Sequence, residues 1–152
     1  MIKAPRLINT DSETGQDKRK MTIEAKIENL NKVLAFIDAE LEAADCPMKT
    51  QMQIDVAVEE IFVNIASYAY EPETGCANID IRFEGEPLQA IITFSDRGIP
   101  YDPVAREDPN ISAPAEEREV GGLGIYMAKK VMDEMTYAYQ NGQNILTLRK
   151  TL

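Results

Sequence analysis

The pattern of apolar residues predicts an α+β fold: a two-layer α/β sandwich with a mixed, mostly antiparallel sheet and helices on one face. Three observations carry this. Segments of period two and segments of helical period are both present. Their order, a strand, two helices, a hairpin, a helix and a second hairpin, is not the regular β-α-β alternation of a Rossmann fold. The strand pairs are joined by Gly85-Glu86-Pro87 and by Asn141-Gly142, short turns that make neighbours antiparallel.

Taken in order, residues 1–19 are polar and show neither period, which predicts a loose N-terminal arm ahead of a single domain over 20–152. Met21, Ile23, Ala25 and Ile27 alternate with polar residues and predict a half-buried strand. Leu30, Val33, Leu34, Ile37 and Leu41 follow at helical spacing, and Asp45-Cys46-Pro47 breaks that helix. A longer helix is predicted from about Lys49 to Tyr70, with its apolar stripe on Ile54, Ala57, Val58, Ile61, Phe62, Ile65 and Ala69. Ile79, Ile81 and Phe83 mark a strand, and the more apolar run Gln89 to Asp96 pairs with it. Residues 97–120 have no clean period and contain four prolines; so long an irregular stretch in a compact domain usually has a function, such as a lid. Gly121-Gly122-Leu123-Gly124 opens a helix to about Glu134, and Met135–Gln140 with Gln143–Lys150 closes the chain as a hairpin.

With 152 residues the chain has length for one core. No apolar run approaches the roughly 20 residues that span a bilayer, and the first residues lack a secretory h-region, so the cytoplasm is the expected location. The net charge of −10 argues against nucleic acid and anionic membrane as partners. A nucleotide stays compatible with that charge, because backbone N–H groups and a metal ion can hold its phosphates. Cys46 and Cys76 form no C-x-x-C pair and read as reduced thiols. Histidine is absent, which removes imidazole zinc sites, Ser-His-Asp triads and phosphohistidine relays.

Three clusters carry possible chemistry. On the second helix, Asn64 lies roughly 100° from the centre of the apolar stripe and Glu60 about 40° further out, one turn away on the same flank. An amide oxygen suits Mg²⁺, and a carboxylate beside it can take a proton from a hydroxyl. Asp96-Arg97-Gly98-Ile99-Pro100 follows an apolar strand, so Asp96 is placed to accept from a ligand N–H while Gly98 lets backbone approach a flat base. Gly121-Gly122-Leu123-Gly124 precedes a helix, whose N-terminal N–H groups and dipole suit phosphate. Taken singly, each has a plainer reading as a solvated helix flank, an Asp-x-Gly turn or a flexible helix start.

In order and at this spacing, Glu60-x-x-x-Asn64, Asp96-x-Gly98-x-Pro100 and Gly122-x-Gly124 resemble the N box and the two glycine boxes of the ATPase superfamily that contains gyrase, sensor histidine kinases and mismatch-repair ATPases (GHKL). The nearest likeness is to its anti-sigma-factor serine/threonine kinase branch. It rests on Glu60-Ile61-Phe62-Val63-Asn64-Ile65, on Asp96-Arg97-Gly98-Ile99-Pro100-Tyr101-Asp102-Pro103, and on Gly122-Leu123-Gly124-Ile125-Tyr126-Met127 with Met132-Asp133. The resemblance implies ATP or ADP with Mg²⁺ as cofactors, Asn64 as metal ligand and Glu60 as general base. It implies Asp96 at the adenine amino group with Gly98 beside the ring, and the Gly122-Leu123-Gly124 turn at the phosphates. Residues 103–120 would form the ATP lid, with Arg106 and Arg118 as its cations, and Thr147 would reach the adenine through water.

The same resemblance implies phosphorylation of an anti-sigma-factor antagonist, capture of a sigma factor, and a homodimer formed through the sheet. One departure stands out: the branch usually has histidine four residues after the asparagine, and this chain has Tyr68. A phenol exchanges its proton only near pH 10, so it does not replace a neutral imidazole. The alternative reading is therefore a non-catalytic, ATP/ADP-dependent protein-binding switch of the same fold.

Overall fold

The computed structural model describes residues 18–105 and 122–152. Five strands form one sheet in the order β1-β2-β3-β5-β4: β1 (Lys18–Glu24), β2 (Cys76–Glu84), β3 (Gln89–Asp96), β4 (Glu134–Gln140) and β5 (Gln143–Thr151). All four pairings are antiparallel, so the expected largely antiparallel sheet is antiparallel throughout the described residues. Among the described residues, three α-helices, α1 (Leu30–Ala43), α2 (Met48–Asn64) and α3 (Gly122–Val131), complete a two-layer α+β fold. Helix α2 packs against both of the others. The core lies between the layers: Ile54, Val58 and Phe62 of α2 and Val33 and Ile37 of α1 meet Met21, Ile79, Ile92, Phe94 and Leu148 of the sheet. No helix among the described residues is long and apolar enough to cross a membrane.

Strand alternation decides what each face carries. Along β5, Asn144, Leu146 and Leu148 are buried on the helix side, while Ile145, Thr147 and Arg149 take the other face. That other face is mixed, with Ile91 and Ile145 set among threonines and ion pairs. Arg149 bridges Glu84 and Glu134 at 3.7 and 3.2 Å, and Glu84 also holds Arg82 at 3.3 Å.

Three boundaries differ from the sequence expectation. The first strand begins at Lys18, inside the expected arm, and ends at Glu24 because its ladder with β2 ends opposite Cys76. Ala25 is still buried and its N–H donates to the Gly75 carbonyl at 2.8 Å, but Ile27 enters a short 3₁₀ turn and is exposed. The long second helix does not run evenly to Tyr70: after Asn64 it widens into a π turn, Ile65–Ala69. The third helix stops at Val131, not Glu134, because Asp133 turns back to the sheet edge. Its N–H donates to the Arg149 carbonyl at 2.9 Å and its Oδ2 accepts from the Thr151 N–H at 2.7 Å.

Candidate nucleotide site

A cavity of about 450 Å³ opens where the end of α2 passes over the ends of β3 and β5. Ile61, Asn64, Ile65 and Tyr68 of the helix and its π turn form one wall, and Phe94 and Leu146 of the sheet form the floor. Asp96, the 99–103 loop, Tyr137 and Asn144 close the far end. Apart from that polar end, Asn64 and the Tyr68 phenol, the lining is apolar, which suits a flat ring.

The polar end is a closed hydrogen-bond network. Asp96 is buried at the last position of β3, and its Oδ1 accepts from the Gly98 N–H and from Asn144 Nδ2, both at 2.9 Å. Asn144, equally buried on β5, also donates to the Ile99 carbonyl at 3.0 Å and the Gly98 carbonyl at 3.3 Å. Its Oδ1 accepts from the Tyr101 N–H at 3.1 Å and from the Tyr137 hydroxyl. One amide thus clamps Asp96 and the loop that follows it. Oδ2 of Asp96 takes no donor among the described residues, which leaves it for a ligand N–H. Behind the loop, the Tyr70 hydroxyl donates to the Cys76 carbonyl at 2.7 Å and accepts from the Arg97 N–H at 2.8 Å.

The π turn and Gly98 depend on each other. The Ile99 N–H donates to the Ala69 carbonyl at 2.8 Å, and a Cβ on Gly98 would lie 2.2 Å from that oxygen. Helix wall and strand end therefore meet backbone to backbone, a contact only glycine allows. The sequence reading gave Gly98 to a base; its lack of a side chain is already required by Ala69.

At the other end, the Asn64 side-chain amide makes no hydrogen bond with any described residue, and Asn64 lines the cavity. Glu60, one turn earlier, does not line the cavity; it reaches the start of α3, where a Cβ on Gly124 would stand 2.0 Å from Glu60 Oε2. Burial, and then the neighbouring Glu59, push the Glu60 carboxyl above its ordinary value. The three sequence clusters thus meet along one flank of α2. Arg106 and Arg118, and most of the expected 103–120 lid, lie outside the described residues, as does the Leu123 side chain. At the start of that stretch, the Val104 and Ala105 N–H groups donate to Asp102 Oδ1 at 2.8 and 3.1 Å.

Thr147 is the site residue that the fold places elsewhere. It pairs with Thr93 and Thr136 on the sheet face turned away from the helices, so it does not reach the cavity. Asn144 and Leu146 are the β5 residues that do. The sequence does carry a signal for Asn144: it is the polar member of an inward series, Asn144, Leu146, Leu148, directly after the Asn141-Gly142 turn.

The donor set fits a purine nucleotide better than a metal alone. Among the described residues no three carboxylate, cysteine or histidine side chains converge on one point, so a divalent ion at Asn64 would draw most of its ligands from phosphate and water.

Comparison with known proteins agrees with this geometry. The profile of the histidine kinase-like ATPase domain matches residues 23–150. The chain is 24% identical over 100 residues to the serine/threonine-protein kinase BtrW of Bordetella bronchiseptica, covering 66% of this chain and 70% of that protein. It is 25% identical over 138 residues to the serine-protein kinase RsbW of Staphylococcus aureus, covering 86% and 84%. A chain in the crystal structure of the SiaB–SiaC complex from Pseudomonas aeruginosa shares the fold, with a TM-score of 0.53 at 16% identity over 87% of this chain and 89% of that one. With the family profile spanning nearly all the described residues, the chain belongs to the histidine kinase-like ATPase domain family.

Proposed function

We propose that this protein is an ATP-dependent serine/threonine kinase that phosphorylates an anti-sigma-factor antagonist and, according to that partner's state, captures a sigma factor. The observation that carries the reading is the convergence of Asn64, Asp96 and the Glu60–Gly124 contact along one flank of α2. The kinase names of BtrW and RsbW support it. Residues 20–152 act as one ATP-binding domain, and the open sheet face is the surface through which two copies pair in the cytoplasm.

The roles we assign are these. Asp96 accepts the adenine amino group on Oδ2, and the apolar walls sandwich the ring. Gly122-Leu123-Gly124 begins α3 and offers backbone N–H groups to phosphate. Asn64 would hold Mg²⁺ through its amide oxygen, and the ion would neutralise phosphate charge. By the resemblance, residues 103–120 would serve as the ATP lid, with Arg106 and Arg118 as its cations. Glu60 takes the proton of the attacking serine or threonine hydroxyl; the new O–P bond forms as the bond to the β-phosphate oxygen breaks and ADP leaves. Phosphoryl transfer of this kind needs mainly positioning and charge stabilisation.

Tyr68 supports a second reading. It lies in the cavity wall, half exposed at 46%, at the position where the resembling kinases usually have histidine. A protein that binds ATP without transferring phosphate would be a nucleotide-dependent binding switch. Incubation with Mg-ATP and the antagonist encoded beside it, followed by mass spectrometry for phosphoserine and phosphothreonine, separates the two. Phosphate on the antagonist upholds the kinase; bound ATP with no transfer upholds the switch.

A further inference from the structure

Away from the cavity, the contact between α1 and the N-terminal half of α2 holds a second group of titratable side chains. Asp38 and Asp55 face each other there within hydrogen-bonding reach. Oδ1 of each is buried, and neither receives a donor from any described residue. Two ionised carboxylates in that position repel each other and leave both oxygens unsatisfied, whereas one shared proton satisfies both.

Among the described residues, no donor takes the proton's place at either Oδ1. Gln51 is buried beside them, but its amide donates to Glu42 Oε2 at 3.2 Å. Glu42 is a further negative charge acting on Asp55, and Asp55 in turn acts on the nearby Cys46 thiol. On α2 itself, Glu59 is one turn on and exposed. Arg19 of the sheet reaches α1 and pairs there with Glu40 at 3.8 Å.

We propose that Asp38 and Asp55 form a proton-sharing clasp that holds α1 against α2 and loosens when the proton leaves. Burial, then the hydrogen bond and charge of Asp38, then Glu42, push Asp55 up to about 8. The folded state therefore keeps a proton that the unfolded chain, with aspartate near its ordinary value, gives up. Stability from the clasp is fully present below that ordinary value, falls as pH rises through the interval, and is gone above about 8. Since α2 also carries Glu60 and Asn64, the clasp steadies the helix on which the proposed site is built.

The test compares the wild type with Asp55→Asn and Asp38→Asn, in which an amide donor replaces the shared proton. Calorimetric unfolding at pH 7 in buffers of different ionisation heat should show the wild type releasing about one proton more than either variant. Tm of the wild type should fall relative to both variants between about pH 5 and 8, then run parallel to them. Equal proton counts, or Tm profiles parallel throughout, would overturn the proposal. If neither variant folds, a carboxyl ¹³C titration of the wild type decides: an aspartate titrating above pH 7 upholds the clasp, and aspartates that all titrate below pH 6 sink it. None of these readouts involves nucleotide or phosphate transfer, so the clasp and the kinase reading can fail separately.

Discussion

The two ends of the cavity are built differently. At the Asp96 end one buried amide ties the carboxylate, two loop carbonyls, a loop N–H and a tyrosine hydroxyl together, and leaves Asp96 Oδ2 open. At the Asn64 end, the amide has no partner among the described residues, and Glu60 rests on the bare backbone of Gly124. The first end is organised before any ligand arrives, so a base docking there need not order side chains. The second has donors and acceptors left over, which suits groups whose contacts are completed by phosphate, metal and a second substrate. Under the proposed function, the contrast divides recognition, at the first end, from chemistry, at the second.

The sharpest break of that contrast is Glu60→Gln. The amide keeps the shape but takes no proton, and general-base help is typically worth about 10²–10⁴-fold in rate. Transfer to the antagonist should fall by that order while Mg-ATP binds nearly as before. Because burial and Glu59 raise the Glu60 carboxyl, the wild-type rate should decline toward acid with a midpoint above the ordinary glutamate range. A wild-type rate in Glu60→Gln would remove the base from the mechanism.

At the same end, Asn64→Ala should lose the Mg²⁺-dependent part of ATP binding. Stability should stay within roughly 0.5 kcal/mol, since a side chain without partners holds little of the fold. Titration calorimetry with and without Mg²⁺, beside thermal unfolding, reads both. Unchanged Mg-ATP affinity would take Asn64 out of the metal site.

The recognition end makes the opposite prediction, that affinity and stability move together. Asp96 should favour ATP over GTP, because guanine presents an acceptor where adenine presents its amino group. An unpaired buried polar group costs roughly 1–3 kcal/mol, about one to two decades in affinity. Asn144→Ala frees the same carboxylate and strips donors from the loop, so it should narrow the ATP/GTP ratio and also lower Tm. A lower Tm with an unchanged ratio would reduce Asn144 to a structural brace.

How much of this was legible follows the same division. Glu60, Asn64, Asp96 and the glycine turn lie in short motifs whose spacing is a property of the chain, and the fold brings them to one flank. The network around Asp96 is not local in sequence: Asn144 is 48 residues away and meets Asp96 only because β5 pairs with β3 in that register. The π turn escaped for a related reason. Its apolar residues keep helical spacing, and what marks it is the contact between Ala69 and Gly98, 29 positions apart by residue number.

Thr147 tests that lesson with the smallest expected effect. By sequence it was a water-mediated contact to adenine; in the fold it stands in a row with Thr93 and Thr136 on the face opposite the cavity, while its neighbour Leu146 forms the floor. Thr147→Val keeps the β-branched shape that strands favour and removes only a hydroxyl on that face. ATP affinity and ATP/GTP selectivity should stay within about twofold, and stability within roughly 0.5 kcal/mol. Nucleotide titration of the variant checks it. A tenfold loss of affinity would mean that Thr147 faces the ligand after all. Because a one-residue slip sends every side chain of a strand to the other face, it would also place Asn144 and Leu146 outside the site. The pairing of Asn144 with Asp96, and with it the account of the recognition end, would fall together with the register.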